Sequence, residues 1–377
     1  MSWESWVAIV ALLVALTALY LTFRNRQLIA SLSNRRMSTE HHVRDEGGEK
    51  KDGVPVTVIF NPSKRIDVAE LKRLVEARAA ETEYGTVTWV ETTVEDPGLG
   101  QARQAVEDGA GLVIAAGGDG TVRAVAQGVA GTGVPLGVIA QGTGNLLARN
   151  MDLSIVSVAD MVNSAFTGQN HAMDIGYLSA EPLTDSELVE AKSEDPEADV
   201  VPEGEHAFAV IAGLGFDAAM VGDADSDLKA RVGWVAYVAA AVKNLKAQKI
   251  HAGVTAGDAP PVSIDARSIM FANCGKLPGG VVLAPDARLD DGWLELVVLD
   301  TKGGLVGWAD LVRRMGLAGI GVTNDGLPST GTIDMRKTRT ATVAADHATR
   351  VQVDGDVLGY ATHVHARVEP GGLLIRF

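Results

Sequence analysis

The chain has almost no cysteine and a shortage of positive charge. Its single cysteine, Cys274, allows no intramolecular disulfide and no cysteine-rich metal site, which is typical of a protein in a reducing compartment. Lys and Arg number 33 against 48 Asp and Glu, so the formal net charge is −15. A nucleic-acid-binding protein needs a basic face, and this balance excludes a dedicated one. Hydrophobic residues make up 46% of the chain, enough for a packed core, which excludes wholesale disorder.

One long run, residues 6–23, carries no charge at all. Its 18 residues would form about 27 Å of helix, enough to cross the hydrocarbon core of a bilayer. Four arginines follow it at positions 24, 26, 35 and 36, whereas Glu4 is the one charged side chain before it. The positive-inside rule therefore predicts a single-pass anchor in the cell membrane, with the rest of the chain in the cytoplasm. A buried core helix is the alternative. The polar stretch that follows is typical of a flexible tether, so residues 1–52 are predicted as anchor plus tether.

The next hundred residues alternate short β-branched runs with amphipathic segments. Strands are predicted at 54–60, 86–91, 111–116 and 135–140, and helices at 67–80, 101–108, 122–129 and 146–150. Asp67 is the predicted N-cap of the first helix. This alternation predicts a three-layer α/β nucleotide-binding domain with a parallel sheet over residues 53–153.

After Asp174 the pattern changes to mainly strands. They are predicted at 207–212, 268–272, 293–300, 341–344 and 350–354, with one amphipathic helix near 229–246. The pattern predicts a C-terminal antiparallel β-sandwich domain over residues 154–377. Between Glu181 and Glu205 lie ten acidic residues and one lysine, so the segment 179–206 is predicted as a solvated loop. An acidic docking segment is the alternative.

Two glycine-rich loops follow the third and fourth predicted strands. The first comprises Gly117, Gly118, Asp119, Gly120 and Thr121, and the second comprises Gly142, Thr143, Gly144 and Asn145. A strand-to-helix turn of this kind suits a phosphate, because glycine lets the backbone approach and the helix N-terminus presents free N–H groups. Either loop alone is equally well explained as a tight turn. No Walker motif is present, and Arg123 stands where a dinucleotide fingerprint needs Gly or Ala.

These motifs, in this order, resemble the diacylglycerol kinase catalytic-domain family, which includes sphingosine kinases and bacterial lipid kinases. The resemblance covers about residues 54–377. It is carried by Asn61-Pro62, GGDGTV at 117–122, GTGNLLARNM at 142–151, GLGFD at 213–217, ANCGKLPGG at 272–280, APDARLDDGWLEL at 284–296 and VDGD at 353–356.

The resemblance implies which residues bind ATP. The implied contacts come from Asn61, Pro62, Ser63, Lys64, Arg65, Thr92, Gly118, Asp119, Gly120, Thr121, Val122, Arg123, Ala124 and Thr143. The chain departs from the family pattern at two places. Lys64 and Arg65 stand after Asn-Pro where a glycine is usual, and Asp356 stands where glutamate is usual.

The resemblance also implies catalytic and metal-binding residues. Asp356 is the implied base and Asp119 the second carboxylate at the γ-phosphate, so the two halves must close on each other. A structural magnesium ion would be held by the Asp291 carboxylate and the carbonyls of Arg288 and Trp293, with Asp354 joining through metal-bound water. Residues 290–292 are alternatively a plain β-turn, and residues 353–356 a hairpin turn.

The expected function is that of an ATP- and Mg²⁺-dependent lipid kinase, which phosphorylates the hydroxyl of a diacylglycerol-like lipid at the inner leaflet to give phosphatidic acid. The predicted anchor independently favours a membrane-resident substrate. One alternative is a small-molecule kinase similar to NAD kinases, and another is a catalytically silent nucleotide- or lipid-binding regulator. The resemblance also allows a homodimer, for which no interface can be read from the sequence.

Overall fold

A computed structural model describes residues 53–64, 67–155, 157–215, 249–277, 282–301 and 331–377. The predicted span at 6–23 and the predicted helix near 229–246 lie outside these residues, and so does Arg65. None of the helices in the described ranges has the length and apolar character that a bilayer crossing requires.

The first half is built on four parallel strands in the order β4-β3-β1-β2. They are β1 (Val54–Phe60), β2 (Tyr84–Glu91), β3 (Leu112–Gly117) and β4 (Leu136–Ala140). Every residue of β3 and β4 is buried, as expected for central strands covered on both faces, whereas the edge strand β2 alternates in burial.

Helices cover both faces of this sheet. They are α1 (Val68–Glu81), α2 (Leu99–Glu107), α3 (Asp119–Val129), the short α4 (Leu146–Asn150) and α5 (Val158–Thr167). Helices α1 and α5 pack together, while α2 packs against α3 on the other face, and this confirms the predicted three-layer arrangement. Asp67 caps α1 as predicted, because its Oδ1 accepts the Glu70 N–H at 3.0 Å.

The second half is mainly antiparallel, and its strand order is β12-β11-β10-β7-β13-β14. Strand β8 pairs with β13 and β9 with β8, while β5 pairs with β14 and β6 with β5. The strands are β5 (Asn170–Ala180), β6 (His206–Phe208), β7 (Ile211–Gly215), β8 (Ile250–Ala256), β9 (Val262–Ala266), β10 (Ser268–Ala272), β11 (Leu294–Thr301), β12 (Gly331–Thr338), β13 (Thr340–Val353) and β14 (Asp356–Arg376). A second hydrophobic core lies within this half. The arrangement fits the predicted β-sandwich.

The two halves share elements. Helix α5 follows the boundary predicted near Leu153, yet it packs on β4 and α1 of the first half. The last residues of β14 also return to the parallel sheet, where Ile375 pairs with Leu136. The sheet is therefore continuous from one half to the other.

Four predicted segments differ from the structure. Residues 207–212 form two strands, β6 and β7, because the N–H groups of the intervening residues bond to a side chain instead of a neighbouring strand. The predicted strands 341–344 and 350–354 are one strand, β13, with an irregularity between Ala344 and Thr349. The acidic segment 179–206 is not wholly a loop, since it contains helix α6 (Asp185–Glu194), whose N-terminus has a capping box between Thr184 and Glu187.

Candidate active site

The two glycine loops lie side by side at the carboxyl ends of β3 and β4. A Cβ added to Gly142 would lie 3.0 Å from the Cα of Gly118, so the second loop leaves little room for a side chain at this position. The Gln141 N–H donates to the Gly117 carbonyl at 2.7 Å and fixes the distance between the loops. The structure therefore brings together both predicted phosphate loops, at the sheet edge where α/β proteins bind ligands.

The Asn61 turn approaches the first glycine loop from β1. Asn61 Oδ1 accepts hydrogen bonds from the Ser63 N–H at 2.9 Å and the Ser63 hydroxyl at 2.7 Å, and its Nδ2 lies 3.5 Å from Thr121 Oγ1. The Lys64 Nζ lies 3.5 Å from the position of a Cβ added to Gly118. The lysine that departs from the family pattern thus extends over the loop and places a positive charge there.

Asp119, the first residue of α3, binds the second glycine loop. Its Oδ2 accepts the Asn145 N–H at 2.9 Å and its Oδ1 accepts the Leu146 N–H at 2.6 Å. Burial raises the pKa of this carboxyl group, the two N–H bonds oppose that effect, and the charge of Asp356 adds to it. Both oxygens are therefore engaged in joining the two loops.

Asp356 reaches the same region from the second half of the chain. Its Oδ2 lies 2.9 Å from Arg123 Nη2 and 3.0 Å from a Cβ added to Gly120, on the first turn of α3. The Asp356 side chain is 49% exposed whereas that of Arg123 is 13% exposed, so the carboxylate remains accessible from the cleft. The Nε–H of Arg123 is buried without a hydrogen-bond partner among the described residues.

Asp354 and Gly355 form the two-residue turn between β13 and β14. Both residues have positive φ, 46° and 89°, which is the conformation of a type I′ hairpin turn. The buried Asp354 carboxylate accepts the N–H groups of Ala209, Val210 and Ile211 at 2.7, 2.9 and 2.8 Å. Burial raises the pKa of Asp354 to about 6 even though these three bonds favour the charged form. Its oxygens thus bind backbone rather than facing the cleft.

The turn predicted to hold magnesium has protein partners for its carboxylate. Asp291 Oδ2 lies 2.6 Å from Lys337 Nζ, and Asp291 Oδ1 accepts the Trp293 N–H at 3.1 Å. Within the described part of the chain, no group of three or more His, Cys, Asp or Glu side chains is arranged to hold a metal ion. The residues present therefore do not fit the implied ion, because a lysine ammonium already binds the carboxylate. Asp354, the fourth implied metal residue, is bonded to backbone as described above.

The remaining predicted nucleotide contacts divide into exposed and buried residues. Pro62 and Thr143 are exposed, whereas Thr92, Thr121, Val122 and Ala124 are buried. The Thr92 N–H donates to the Phe60 carbonyl at 2.9 Å, which ties the ends of β1 and β2 together. The side chains of Val122 and Ala124 contribute to packing, so a nucleotide would meet the backbone of this turn rather than these side chains.

Three residues of this region were missed at the sequence level. Arg149 Nε donates to the Gly144 carbonyl at 2.7 Å and steadies the second loop. The buried Asp174 carboxylate accepts the Gly292 N–H at 2.6 Å and the Gly371 N–H at 2.8 Å. Lys337 binds Asp291. Arg149 lies inside the GTGNLLARNM motif, which was a usable signal, whereas nothing local marks Asp174 or Lys337.

A cavity of about 760 Å³ lies beyond α4, between the two halves. Its lining combines apolar side chains, among them Met151, Met173 and Leu289, with the polar residues His171 and Lys276. Neither the glycine loops nor Asp356 lines it. It is therefore a separate space, connected to the second loop through the short helix α4.

Comparison with protein families gives two consecutive matches. Residues 55–178 match the model described as diacylglycerol kinase catalytic domain. Residues 209–376 match the model described as YegS C-terminal NAD kinase beta sandwich-like domain. Together the two matches cover nearly all the chain after the predicted tether. The first includes the parallel sheet and extends into β5, and the second covers most of the antiparallel half.

Individual relatives are distant. An uncharacterized protein of Synechocystis is 29% identical over 205 residues, which are 53% of this chain and 40% of that protein. A Pseudomonas aeruginosa protein named probable lipid kinase YegS-like is 28% identical over 239 residues, 61% of this chain and 68% of its own length. Against the first of these, the chain spans less than half of the relative's length.

The fold has counterparts among solved structures. A crystal structure of a diacylglycerol kinase from Bacillus anthracis superposes with a TM-score of 0.63 over 87% of this chain and 98% of the other, at 17% identity. At this identity the likeness concerns the fold alone. It shows that the α/β half and the β-sandwich-like half occur together in another protein.

Proposed function

The chain belongs to the diacylglycerol kinase catalytic-domain family of lipid kinases, and we propose that it transfers the γ-phosphate of magnesium-bound ATP to the free hydroxyl of a diacylglycerol-like lipid. The product would be phosphatidic acid, formed at the inner leaflet of the cell membrane. The observation that carries this proposal is the meeting of two glycine loops with the Lys64 ammonium and the Asp356 carboxylate at one sheet edge.

The glycine loops supply the phosphate-binding part of the reaction. Gly118 and Gly142 bring the backbone of both loops beside the N-terminus of α3, where the helix dipole favours an anion. Lys64 extends over Gly118 and offers a positive charge to the phosphates. Magnesium enters with the nucleotide as part of the substrate, and neutralises charge on the β- and γ-phosphates.

Asp356 supplies the base. Phosphoryl transfer requires an in-line hydroxyl and a group that accepts its proton. The half-exposed Asp356 carboxylate lies at the first turn of α3, next to the proposed position of the phosphates. Its contact with Arg123 orients it, and leaves the other carboxylate oxygen for the lipid hydroxyl.

Asp119 acts as a positioning residue. Because its two oxygens accept the N–H groups of Asn145 and Leu146, it holds the second loop against the first. This function replaces the direct contact with the γ-phosphate that the family resemblance implies. It predicts effects on nucleotide affinity rather than on proton transfer alone.

Two features favour a lipid as the acceptor. The cavity beyond α4 has both apolar and polar walls, as a ligand with a polar head and an apolar tail requires. The predicted span at residues 6–23 would hold the enzyme at the surface where such a lipid resides, at high effective concentration.

The test is phosphate transfer from labelled ATP to a panel of lipids in vesicles containing Mg²⁺, with the full chain. We expect a labelled lipid product from the wild type and at least a ~100-fold lower kcat for Asp356→Asn, the usual effect of losing a general base. Asp334→Asn, on the exposed surface of β12, is the matched control and should keep wild-type activity.

Other outcomes identify the alternatives. ATP binding without any lipid product would favour a silent nucleotide- or lipid-binding regulator. Labelled NADP formed after addition of NAD would favour a small-molecule kinase. A lipid product that survives Asp356→Asn unchanged would contradict the assigned base while leaving the reaction class intact.

A further inference from the structure

The turn that precedes β11 and the first residues of β11 place two carboxylates around one lysine. Asp291 Oδ2 is 2.6 Å from Lys337 Nζ, and Glu295 Oε1 is 3.6 Å from the same atom. The Glu295 side chain is 8% exposed and that of Asp291 is 21% exposed. Carboxylates withdrawn from water to this extent need a compensating charge, and here a single ammonium group serves both.

Strand pairing determines the position of this lysine. In the antiparallel register of β11 and β12, Lys337 lies directly opposite Glu295, and the neighbouring pair is Leu294 with Thr338. Side chains of directly opposed residues lie on the same face of a sheet and are close enough to interact. Arg339 continues the pattern, since its guanidinium stacks over the Trp293 ring at 4.7 Å. The β12 end of the sheet therefore supplies cations to the turn.

The carboxylate oxygens of Asp291 and Asp174 at this turn already have other partners. Mg²⁺ requires about six oxygen ligands in near-octahedral geometry. One Asp291 oxygen contacts Lys337 and the other accepts the Trp293 N–H, while both oxygens of the nearby Asp174 accept backbone N–H groups. Residues 282–301 and 331–377, which the structure describes, thus place a protonated amine where a metal ion would otherwise be bound.

We propose that Lys337 is a built-in substitute for the structural divalent cation that the family resemblance implies at this turn, so that the turn is held without metal. The inference does not rest on the proposed function, because its test involves neither nucleotide nor lipid. It also separates two requirements for magnesium: the ion carried by ATP is needed for transfer, whereas no resident ion is needed for folding of the β11–β12 region.

The test compares thermal unfolding of the full chain in detergent, in excess EDTA and in millimolar MgCl₂ or CaCl₂ at equal ionic strength. The wild type is expected to unfold at the same temperature in all three, and metal analysis of the purified protein should find no stoichiometric divalent ion. In EDTA, Lys337→Met should unfold at least ~3 °C below the wild type, because two carboxylates would then lack their cation. Either Mg²⁺ or Ca²⁺ should restore most of that difference by binding to the two carboxylates.

Two further variants keep the result interpretable. Lys337→Arg retains the charge and should behave like the wild type. Adding Asp291→Asn to Lys337→Met should abolish the response to ions, which excludes a general effect of cations on an acidic chain. Stabilisation of the wild type by Mg²⁺ that disappears in Asp291→Asn would overturn the proposal. A Lys337→Met protein that responds to neither ion would also overturn it, since the carboxylates would then form no cation site.

Discussion

Asp354 shows how one side chain can determine the course of two strands. Its carboxylate accepts three consecutive N–H groups between β6 and β7, and its own backbone forms the turn into β14. The DG pair at 354–355 predicts a hairpin turn, and the structure has one. The sequence does not reveal the partners of the side chain, because they lie about 145 positions away along the chain.

The raised pKa of Asp354 predicts a pH-dependent contribution to stability. The folded-state pKa of about 6 lies above the ordinary value, so between about pH 4 and pH 6 the folded state holds a proton that the unfolded state has lost. This residue should therefore make the free energy of unfolding fall as pH rises through that window, by up to ~1.4 kcal/mol per pH unit.

Asp354→Asn should remove the decrease in the free energy of unfolding between about pH 4 and pH 6. The measurement is urea unfolding of both proteins from pH 4 to pH 7. The variant should be less stable overall, by about 1–3 kcal/mol, since one amide oxygen replaces an acceptor of three N–H groups. Parallel stability curves for the two proteins would contradict the assigned titration.

At the scale of elements, the site depends on α4, whose N-terminal N–H groups are capped by the side chain of the first residue of α3. The first residue of α4 follows Asn145, whose φ of 48° is left-handed and whose side chain bonds to the Gly142 N–H rather than to α4. The acceptor for the free N–H groups at this end is Asp119, from the start of α3. The spacing of the two motifs predicts neighbouring loops, but not this exchange of hydrogen bonds between them.

Asp119→Ala should detach the second glycine loop. We expect ATP affinity to fall by about tenfold or more, with a loss of about 1–2 kcal/mol in stability, the usual cost of removing a helix cap. Titration calorimetry with nucleotide alone measures the first effect. If Asp119 were instead a base, Asp119→Asn would lower kcat and leave ATP affinity unchanged.

The acidic segment 179–206 contains a helix that its charge does not predict. Its charge predicts a loop, yet residues 185–194 form α6, and the Thr184-to-Glu187 spacing of a capping box was a local signal for it. Net charge predicts that a segment is exposed to solvent, but it does not predict secondary structure. Secondary structure in this segment depended on the capping pattern instead.

At the scale of the whole molecule, the two halves meet at α3. Arg123 and Asp356 are 233 positions apart and form an ion pair, so the implied base reaches the glycine loops without any further closure. The continuous sheet through β14 keeps this geometry. What lies before residue 53 is outside the described ranges, and the proposed location of the enzyme depends on it.

The proposed anchor predicts how the full chain behaves in fractionated cells. It should stay with membranes through alkaline carbonate washing and be released by detergent, because residues 6–23 carry no charge. Leu13→Arg combined with Leu16→Arg should weaken insertion, at roughly 2.5–3.5 kcal/mol for each arginine near the centre of a span. The same two arginines at Ser31 and Ser33 are the control. Release of the unmodified chain by carbonate would contradict a spanning anchor.

The sequence by itself determined the fold class and the position of the two glycine loops. Alternating β-branched and amphipathic runs specify parallel strands and covering helices through local burial, and glycine specifies where backbone must approach. These signals are local, so they can be read along the chain. The tertiary structure decided the partners: Asp119 with the α4 N-terminus, Arg123 with Asp356, and Lys337 with Asp291. Such contacts depend on strand register and packing between distant segments, which no local pattern encodes.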